Sequence, residues 1–119
     1  PDDVYNLAHG RLKDKKKEYF LAALLDTRAH LIKLAEISIG GLDGSVVHAR
    51  EVFKEAISAT AASIVLVHNH PSGVPEASEQ DIRITKKLQE VGELVGIEVL
   101  DHVIIGGNKF CSMKREGLF

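Results

Sequence analysis

The sequence predicts a mixed α/β (α+β) domain in which helices flank a mostly antiparallel sheet. Two apolar, β-branched runs at 18–25 and 31–39 are separated only by a short turn, which is typical of an antiparallel hairpin. Two segments with helical periodicity, 49–61 and 78–95, each lead into a further apolar run. Because some strands are adjacent in sequence and others are joined through helices, we expect a sheet with both kinds of connection.

The elements follow in chain order from their apolar spacing. The first segment is a predicted helix, which the basic run Lys13–Lys17 should end. Its apolar stripe comprises Val4, Leu7, Ala8 and Leu12. The hairpin comes next, and glycines at 40, 41 and 44 then mark a loop before the second helix. The apolar stripe of that helix comprises Val52, Phe53, Ala56 and Ile57.

The second half of the chain repeats this order of helix and strand. A strand run at Ser63–Val67 precedes the third helix, which closes at Gly96. The stripe of the third helix comprises Ile84, Leu88, Val91 and Val95. A strand at 97–105, a turn at Gly106–Asn108 and a strand at 109–113 complete the predicted sheet.

Two histidines at the end of the Ser63–Val67 run are candidate metal ligands. His68 and His70 are two residues apart, so in extended backbone their imidazoles project to the same face. Ser78 has the character of a helix N-cap, with Asp81 in the first turn. Two imidazoles, one carboxylate and an open fourth position form a catalytic zinc site, where the bound water has a pKa of about 7. The alternative is a solvated loop with turn-side histidines and a capping aspartate.

The whole spacing resembles a known motif. Residues 68–72 read HNHPS, ten residues separate His70 from Asp81, and Ser78 lies three before the aspartate, as in the JAMM motif of the JAB1/MPN metalloprotease superfamily. The sequences HNHPSG and, at 100–106, LDHVIIG look more narrowly like the bacterial RadC family, often labelled DNA repair proteins. The resemblance runs from about Glu18 to the C-terminus. It implies a three-layer, JAB1/MPN-like arrangement similar to that of cytidine deaminases.

Further site residues follow from the resemblance. A zinc hydrolase needs a base, and Glu18, which directly precedes an apolar strand as in the JAMM pattern, is favoured. Glu51, near the start of the second helix, is the alternative base, but helix-terminus electrostatics alone explain an acidic residue there. Ser78 would steady the oxyanion of the tetrahedral intermediate as well as cap the helix. Asp101 and His102 form either an outer pair that orients a metal ligand or the polar end of a strand.

Composition excludes some classes of function. The 119 residues fit a single domain, 1–119, and the start at Pro1 suggests a piece of a longer chain. With 45% hydrophobic residues, 27% charged residues and a formal charge of -2, nothing favours direct binding to nucleic acid or to an acidic membrane. No apolar run is long enough for a membrane span and no signal peptide is evident, so a cytoplasmic location is expected.

The favoured function is Zn²⁺-dependent hydrolysis of a peptide or isopeptide-type amide in a protein or peptide-like substrate. The alternative is an accessory metal-binding domain of a DNA repair or genome-maintenance protein. Base deamination is disfavoured because zinc deaminases use a Pro-Cys-x-x-Cys pair, whereas this chain has one cysteine, Cys111. The loops Gly40–His48 and Gly73–Ala77 are expected to flank the zinc and to set substrate access.

Overall fold

The apolar runs and helical stripes form the elements expected of them. The computed structural model describes residues 2–12, 15–40 and 47–119. Within these ranges the elements are α1 (Asp2–Leu12), β1 (Glu18–Leu25), β2 (Leu31–Gly40), α2 (Ala49–Ser58), β3 (Ser63–Asn69), α3 (Glu79–Val95), β4 (Glu98–Gly106) and β5 (Lys109–Ser112). Helix α2 ends at Ser58 rather than at 61, because the chain turns through Thr60, which has a left-handed φ of 57°. The basic run predicted to end α1 begins at Lys13, which lies outside the described residues.

The strands of the described residues form a five-stranded sheet in the order β2-β1-β3-β4-β5. β1 and β2 form the predicted antiparallel hairpin, and its turn is held by Asp26, whose Oδ1 accepts the backbone N–H groups of Arg28 and His30. β3 pairs antiparallel with β1 and parallel with β4, while β5 pairs antiparallel with β4. The predicted mixed, mostly antiparallel sheet is confirmed, and β3, buried along its whole length, lies at its centre.

Helices cover both faces of this sheet. On one face α1 packs Ala8 and Leu12 against alternate residues of the central strands, including Val65 and Val67. On the other face α2 and α3 pack their apolar side chains against the intervening strand residues. This second core includes Phe20, Leu24, Val52, Phe53, Leu66 and Leu88. Period-two alternation in β1 and β3 thus serves two cores at once, and the three-layer arrangement implied by the family resemblance is confirmed.

The buried faces of α2 and α3 differ in part from the predicted stripes. Ile57 is 60% exposed and Val95 is 46% exposed. The rest of the predicted α3 stripe is confirmed, since Leu88 is fully buried and Ile84 and Val91 are partly buried against the core. The other buried residues of α3 are Asp81, Thr85 and Gly92. The chain turns so tightly after α3 that a Cβ at position 92 would collide with the carbonyl oxygen of Ile97, which directly precedes β4. Close packing therefore requires glycine at position 92, and the buried face of α3 also carries polar residues, neither of which a purely apolar periodicity detects.

The segment between β3 and α3 brings the ends of these two elements together. Its backbone is tied to β4 at one end, where the N–H of His70 donates to the carbonyl of Ile105 at 2.8 Å. Gly73, with a φ of 87°, turns the chain, and the loop then passes over Gly106 at the end of β4. A Cβ at Gly106 would lie 2.6 Å from the nitrogen of Pro75, so only glycine permits this packing. None of the helices in the described part of the chain is long and apolar enough to cross a membrane.

Candidate metal centre

The two histidines predicted to converge do so at the end of β3. His68 lies within the strand and is 2% exposed, and His70 follows directly after it. Their Nε2 atoms are 3.0 Å apart, so both imidazoles point to one spot, as the two-residue spacing predicts. The ring of Phe20 stacks on that of His68 with centroids 5.8 Å apart. This packing holds the deeper imidazole in place.

Asp81 reaches the same spot from the N-terminus of α3. The prediction that Ser78 is the N-cap is confirmed: its Oγ accepts the N–H of Asp81 at 3.1 Å, and its own N–H donates to Asp81 Oδ2 at 2.9 Å. This reciprocal capping box fixes the carboxylate against the helix end. Asp81 Oδ1 then lies 3.2 Å from His68 Nε2, and Oδ2 lies 3.2 Å from His70 Nε2. Helix capping and side-chain clustering use the same carboxylate.

Glu18, at the first position of β1, completes the cluster. Its Oε1 lies 3.4 Å from His68 Nε2, and its side chain is 23% exposed. One potential ligand atom from each of Glu18, His68, His70 and Asp81 can be chosen so that all lie within 4.8 Å of one another. The described residues thus bring together four of the side chains that the sequence marks as site candidates.

The separations of the cluster fit a metal ion. Donor atoms about 2.0–2.1 Å from a tetrahedral ion are about 3.3 Å from one another. The observed separations among His68 Nε2, His70 Nε2 and the Asp81 oxygens are 3.0, 3.2 and 3.2 Å. Two imidazole nitrogens and a carboxylate oxygen also form a donor set that divalent metals favour. The cluster can therefore bind a metal ion with little rearrangement.

The charges and hydrogen bonds of the cluster couple its side chains to one another. Burial by itself would raise the pKa of the Asp81 carboxyl, but hydrogen bonds from His68 and His70 outweigh it and hold that pKa well below its usual range. The hydrogen bond to Asp81 in turn raises the pKa of His70 above its ordinary value. Asp81 is therefore ionised at neutral pH, as a ligand must be, and a proton on His70 competes with any metal ion.

Each histidine is oriented through its other ring nitrogen. His70 Nδ1 lies 2.9 Å from the carbonyl oxygen of Val74, in the loop that passes over β4. His68 Nδ1 lies 2.6 Å from His102 Nε2, and the other nitrogen of His102 lies 2.5 Å from the hydroxyl of Thr85. Burial lowers the pKa of His102 well below its ordinary value, so this residue is neutral. Outer hydrogen bonds of this kind orient metal-binding histidines and set their tautomers.

The side chains of Asp101 and His102 face opposite sides of the sheet. Ile64 of β3 pairs with Val99, but Val65 pairs with Asp101, so Leu100 forms a bulge. Beyond the bulge His102 faces the metal cluster, whereas Asp101 faces the opposite core. The Asp101 carboxylate accepts hydrogen bonds from the backbone N–H groups of His102 and Lys114 and from the hydroxyl of Ser112, and so braces the end of the chain.

The two candidate bases occupy different surroundings. Glu51 lies in the first turn of α2, is exposed, and has Arg50 Nε 3.9 Å from its carboxylate. It is not part of the metal cluster, whereas Glu18 is. Of the two loops expected to flank the site, residues 41–46 lie outside the described residues. The other loop, Gly73–Ala77, contacts the site through the carbonyl of Val74.

Two residues near the cluster were not singled out as site residues from the sequence. The Asn69 side chain accepts the N–H of Tyr19 at 2.6 Å and donates to the carbonyl of Lys17 at 3.0 Å, so it clamps the backbone on both sides of Glu18. Thr85 lies four residues after Asp81 on α3, and its hydroxyl bonds to the Asp81 carbonyl at 2.7 Å. Thr85 could have been found from the sequence because it lies one helical turn after Asp81, on the same face of α3. Asn69 could have been found because it lies between the two histidines.

Comparison with known proteins agrees with this geometry. Residues 1–118 match the family described as RadC-like JAB domain. A UPF0758 protein of Desulforamulus reducens is 55% identical over 118 residues, covering 99% of this chain and 52% of that protein. A UPF0758 protein of Alkaliphilus metalliredigens is 54% identical over 118 residues, covering 99% of this chain and 51% of that protein. One of Methanosarcina mazei is 49% identical over 117 residues, covering 98% of this chain and 51% of that protein. The chain spans about half the length of these relatives, and it belongs to the family of RadC-like JAB domains.

Proposed function

We propose that this chain is a zinc-dependent hydrolase domain that cleaves peptide or isopeptide-type amide bonds. One observation carries the proposal: two imidazole nitrogens and a carboxylate lie 3.0 to 3.2 Å apart, with a second carboxylate 3.4 Å from His68 Nε2. Three ligands and an adjacent acid or base are the elements of a metal-dependent hydrolase. Activity of the longer proteins in which this domain occurs is part of the same proposal.

His68, His70 and Asp81 would hold the zinc ion. Their nitrogen and oxygen donors suit zinc, and a set of only three protein ligands is typical of catalytic rather than structural zinc. A bound zinc ion would supply the Lewis acidity that activates water as a nucleophile near neutral pH. Asp81 contributes the negative charge of the ligand set, and the capping box with Ser78 keeps its carboxylate from rotating away.

Glu18 is the proposed general base and acid. Its partly exposed carboxylate lies beside the ligand nitrogens but is also open to solvent, so it can take a proton from water and return it to the leaving amine. The backbone clamp from Asn69 fixes the start of β1 and with it the position of this carboxylate. Glu51 is not favoured for this role because it lies in the first turn of α2 with Arg50 as its neighbour.

Ser78 is the proposed donor to the oxyanion of the tetrahedral intermediate. Its oxygen accepts the N–H of Asp81, which leaves the hydroxyl proton available to a second acceptor. The residue is exposed and lies directly before α3, where the helix dipole also favours negative charge. Donors aimed at developing negative charge make a large contribution to catalysis of acyl transfer.

Metal analysis tests the first half of the proposal. Purified wild-type protein should contain or take up equimolar zinc, and His70→Ala should lose it. His30→Ala is the matched control, because His30 is an exposed histidine of the β1–β2 turn, where its Nδ1 lies 3.8 Å from Asp26 Oδ2. Absence of metal binding by the wild type, or equal zinc content in both variants, would contradict the assignment.

Turnover tests the second half. On a panel of peptide and isopeptide amides, Glu18→Gln should lower kcat by about 10²–10⁴-fold while retaining zinc, whereas Glu51→Gln should behave like the wild type. The reverse result would transfer the role of base to Glu51. If the zinc-loaded protein cleaves none of the amides but binds DNA in a salt-dependent way, the accessory genome-maintenance function replaces the hydrolase.

A further inference from the structure

A chain of buried hydrogen bonds runs behind the metal cluster and joins two of its ligands. It leads from His68 Nδ1 to His102 Nε2 at 2.6 Å, and from His102 Nδ1 to the Thr85 hydroxyl at 2.5 Å. It ends where the hydroxyl oxygen lies 2.7 Å from the backbone carbonyl oxygen of Asp81. His68 is 2% exposed, and His102 and Thr85 are each 0% exposed. Water does not reach these links, so their protons are set by the members themselves.

Only one direction of this chain is compatible with metal binding. If His68 Nε2 binds a metal ion, the proton of the neutral ring must lie on Nδ1 and point at His102 Nε2. His102 Nε2 must then accept, which places the His102 proton on Nδ1, where it points at Thr85. The Thr85 oxygen must accept that proton, so its own hydroxyl donates to the Asp81 carbonyl. Every group in this arrangement has a partner.

The opposite direction also satisfies the buried groups but blocks the metal. In it the Thr85 hydroxyl donates to His102 Nδ1, and His102 Nε2 donates to His68 Nδ1. The His68 proton then lies on Nε2, where it faces Asp81 Oδ1 at 3.2 Å and occupies the ligand position. The two directions differ by the tautomers of two histidines and the rotation of one hydroxyl.

We propose that Thr85 and His102 are positioning residues that set the tautomer of His68, so that its Nε2 presents a lone pair to the metal ion. This inference rests on the proposed metal site. Thr85 is essential because it is the one member that can both accept from His102 and pass the hydrogen bond on to Asp81. The residue four positions after a ligand on α3 thereby controls a ligand on β3.

Two variants of Thr85 separate its hydroxyl from its shape. Thr85→Val keeps the branched side chain but removes the acceptor, so His102 with its proton on Nδ1 would bury an N–H without a partner. A buried unpaired N–H is less tolerated than an unpaired lone pair, so His102 should move its proton to Nε2 and favour the blocking direction. Thr85→Ser keeps the hydroxyl and loses only a methyl group. Thr85→Val loses hydrogen bonds and Thr85→Ser loses packing, so both variants should be less stable than the wild type. A measurement of stability alone therefore does not test the role of the hydroxyl.

The experiment measures zinc affinity by chelator competition and histidine tautomers by long-range ¹H–¹⁵N correlation spectra. Zinc-loaded wild type should carry the His102 proton on Nδ1. Thr85→Val should bind zinc about 10–100-fold more weakly, and Thr85→Ser should stay close to wild type. Equal affinities of the two variants, or a His102 proton on Nε2 in the zinc-loaded wild type, would overturn the proposal. The second observation needs no variant, so it decides even if Thr85→Val fails to fold.

The same measurements separate this inference from the proposed function. If the wild type fails to bind zinc, the metal site itself is refuted, and with it the positioning role of Thr85 and His102. If the wild type binds zinc and Thr85→Val has no effect on zinc affinity, the metal site stands and only the positioning role is refuted.

Discussion

Gly106 offers a test of how the fold positions His70, a proposed metal ligand, from a distance. A Cβ at this position would lie 2.6 Å from the nitrogen of Pro75 and 2.8 Å from the carbonyl carbon and oxygen of Gly73. Ordinary contact begins at 3.4 Å, so in Gly106→Ala the Gly73–Pro75 loop must move by about 0.8 Å. The Val74 carbonyl travels with this loop and now lies 2.9 Å from His70 Nδ1. A displacement of that size takes the pair beyond hydrogen-bond distance, so His70 loses its orientation.

Two effects are therefore expected in Gly106→Ala. Overpacking should lower the free energy of unfolding of the metal-free protein by about 1–3 kcal/mol, measured by urea denaturation. Loss of the outer hydrogen bond on His70 should weaken zinc binding by about 10–100-fold, measured by competition with a chelator. Weaker zinc binding is specific to displacement of the Gly73–Pro75 loop, whereas loss of stability is expected wherever a close contact is overpacked.

Gly92→Ala is the matched control. Its Cβ would collide with the carbonyl of Ile97 near the far end of α3, so a similar loss of stability is expected. It contacts no part of the metal cluster, and its zinc affinity should stay at the wild-type value. If Gly106→Ala weakens zinc binding no more than Gly92→Ala does, the loop does not orient His70.

Three further predictions concern single side chains. The pKa of Asp81 is lower in the folded protein than its ordinary value of 3.8, so ionised Asp81 stabilises the metal-free fold above that pH, and the contribution is lost as the pH falls. In Asp81→Asn the free energy of unfolding should therefore decrease less steeply with falling pH than it does in the wild type. Asp101→Ala should lower the free energy of unfolding by about 1–3 kcal/mol, because it leaves the buried His102 N–H and Ser112 hydroxyl without their acceptor. Its zinc stoichiometry should stay unchanged, and loss of zinc would contradict the place of Asp101 on the face of the sheet opposite the cluster. Asn69→Ala should lower kcat while zinc content is retained, because it releases the backbone on both sides of Glu18; kcat equal to wild type in a folded variant would remove Asn69 from the site.

Much of the ligand cluster could be predicted because it rests on local geometry. Residues two apart in a strand share a face, which brings His68 and His70 together whatever the sheet order. The capping box between Ser78 and Asp81 is likewise a property of one helix end and needs no distant partner. The turn residues Pro71 and Gly73 then have only to bring the N-terminus of α3 back beside the end of β3. Local patterns of this kind are legible in a single sequence.

The contacts between elements could not be predicted in the same way. Strict alternation along β4 would place Asp101, two residues after the core residue Val99, on the metal face, and His102 on the other. The bulge at Leu100 reverses this, and nothing in the apolar pattern marks it. Glu18 poses the same difficulty, because its distance to His68 depends on the pairing of β1 with β3.

By itself, then, the sequence determined the family, the order of helices and strands, and the spacing of the proposed metal ligands. Each of these depends on residues within a few positions of one another or on a motif with few alternatives. Only the tertiary structure decided that His102 and Thr85 stand behind His68, that Asp101 faces away, and that Gly106 supports the loop of His70. These relations depend on strand register and on how closely α3 approaches the sheet. A shift of one residue in register changes which side chains meet, while the sequence pattern around each of them stays the same.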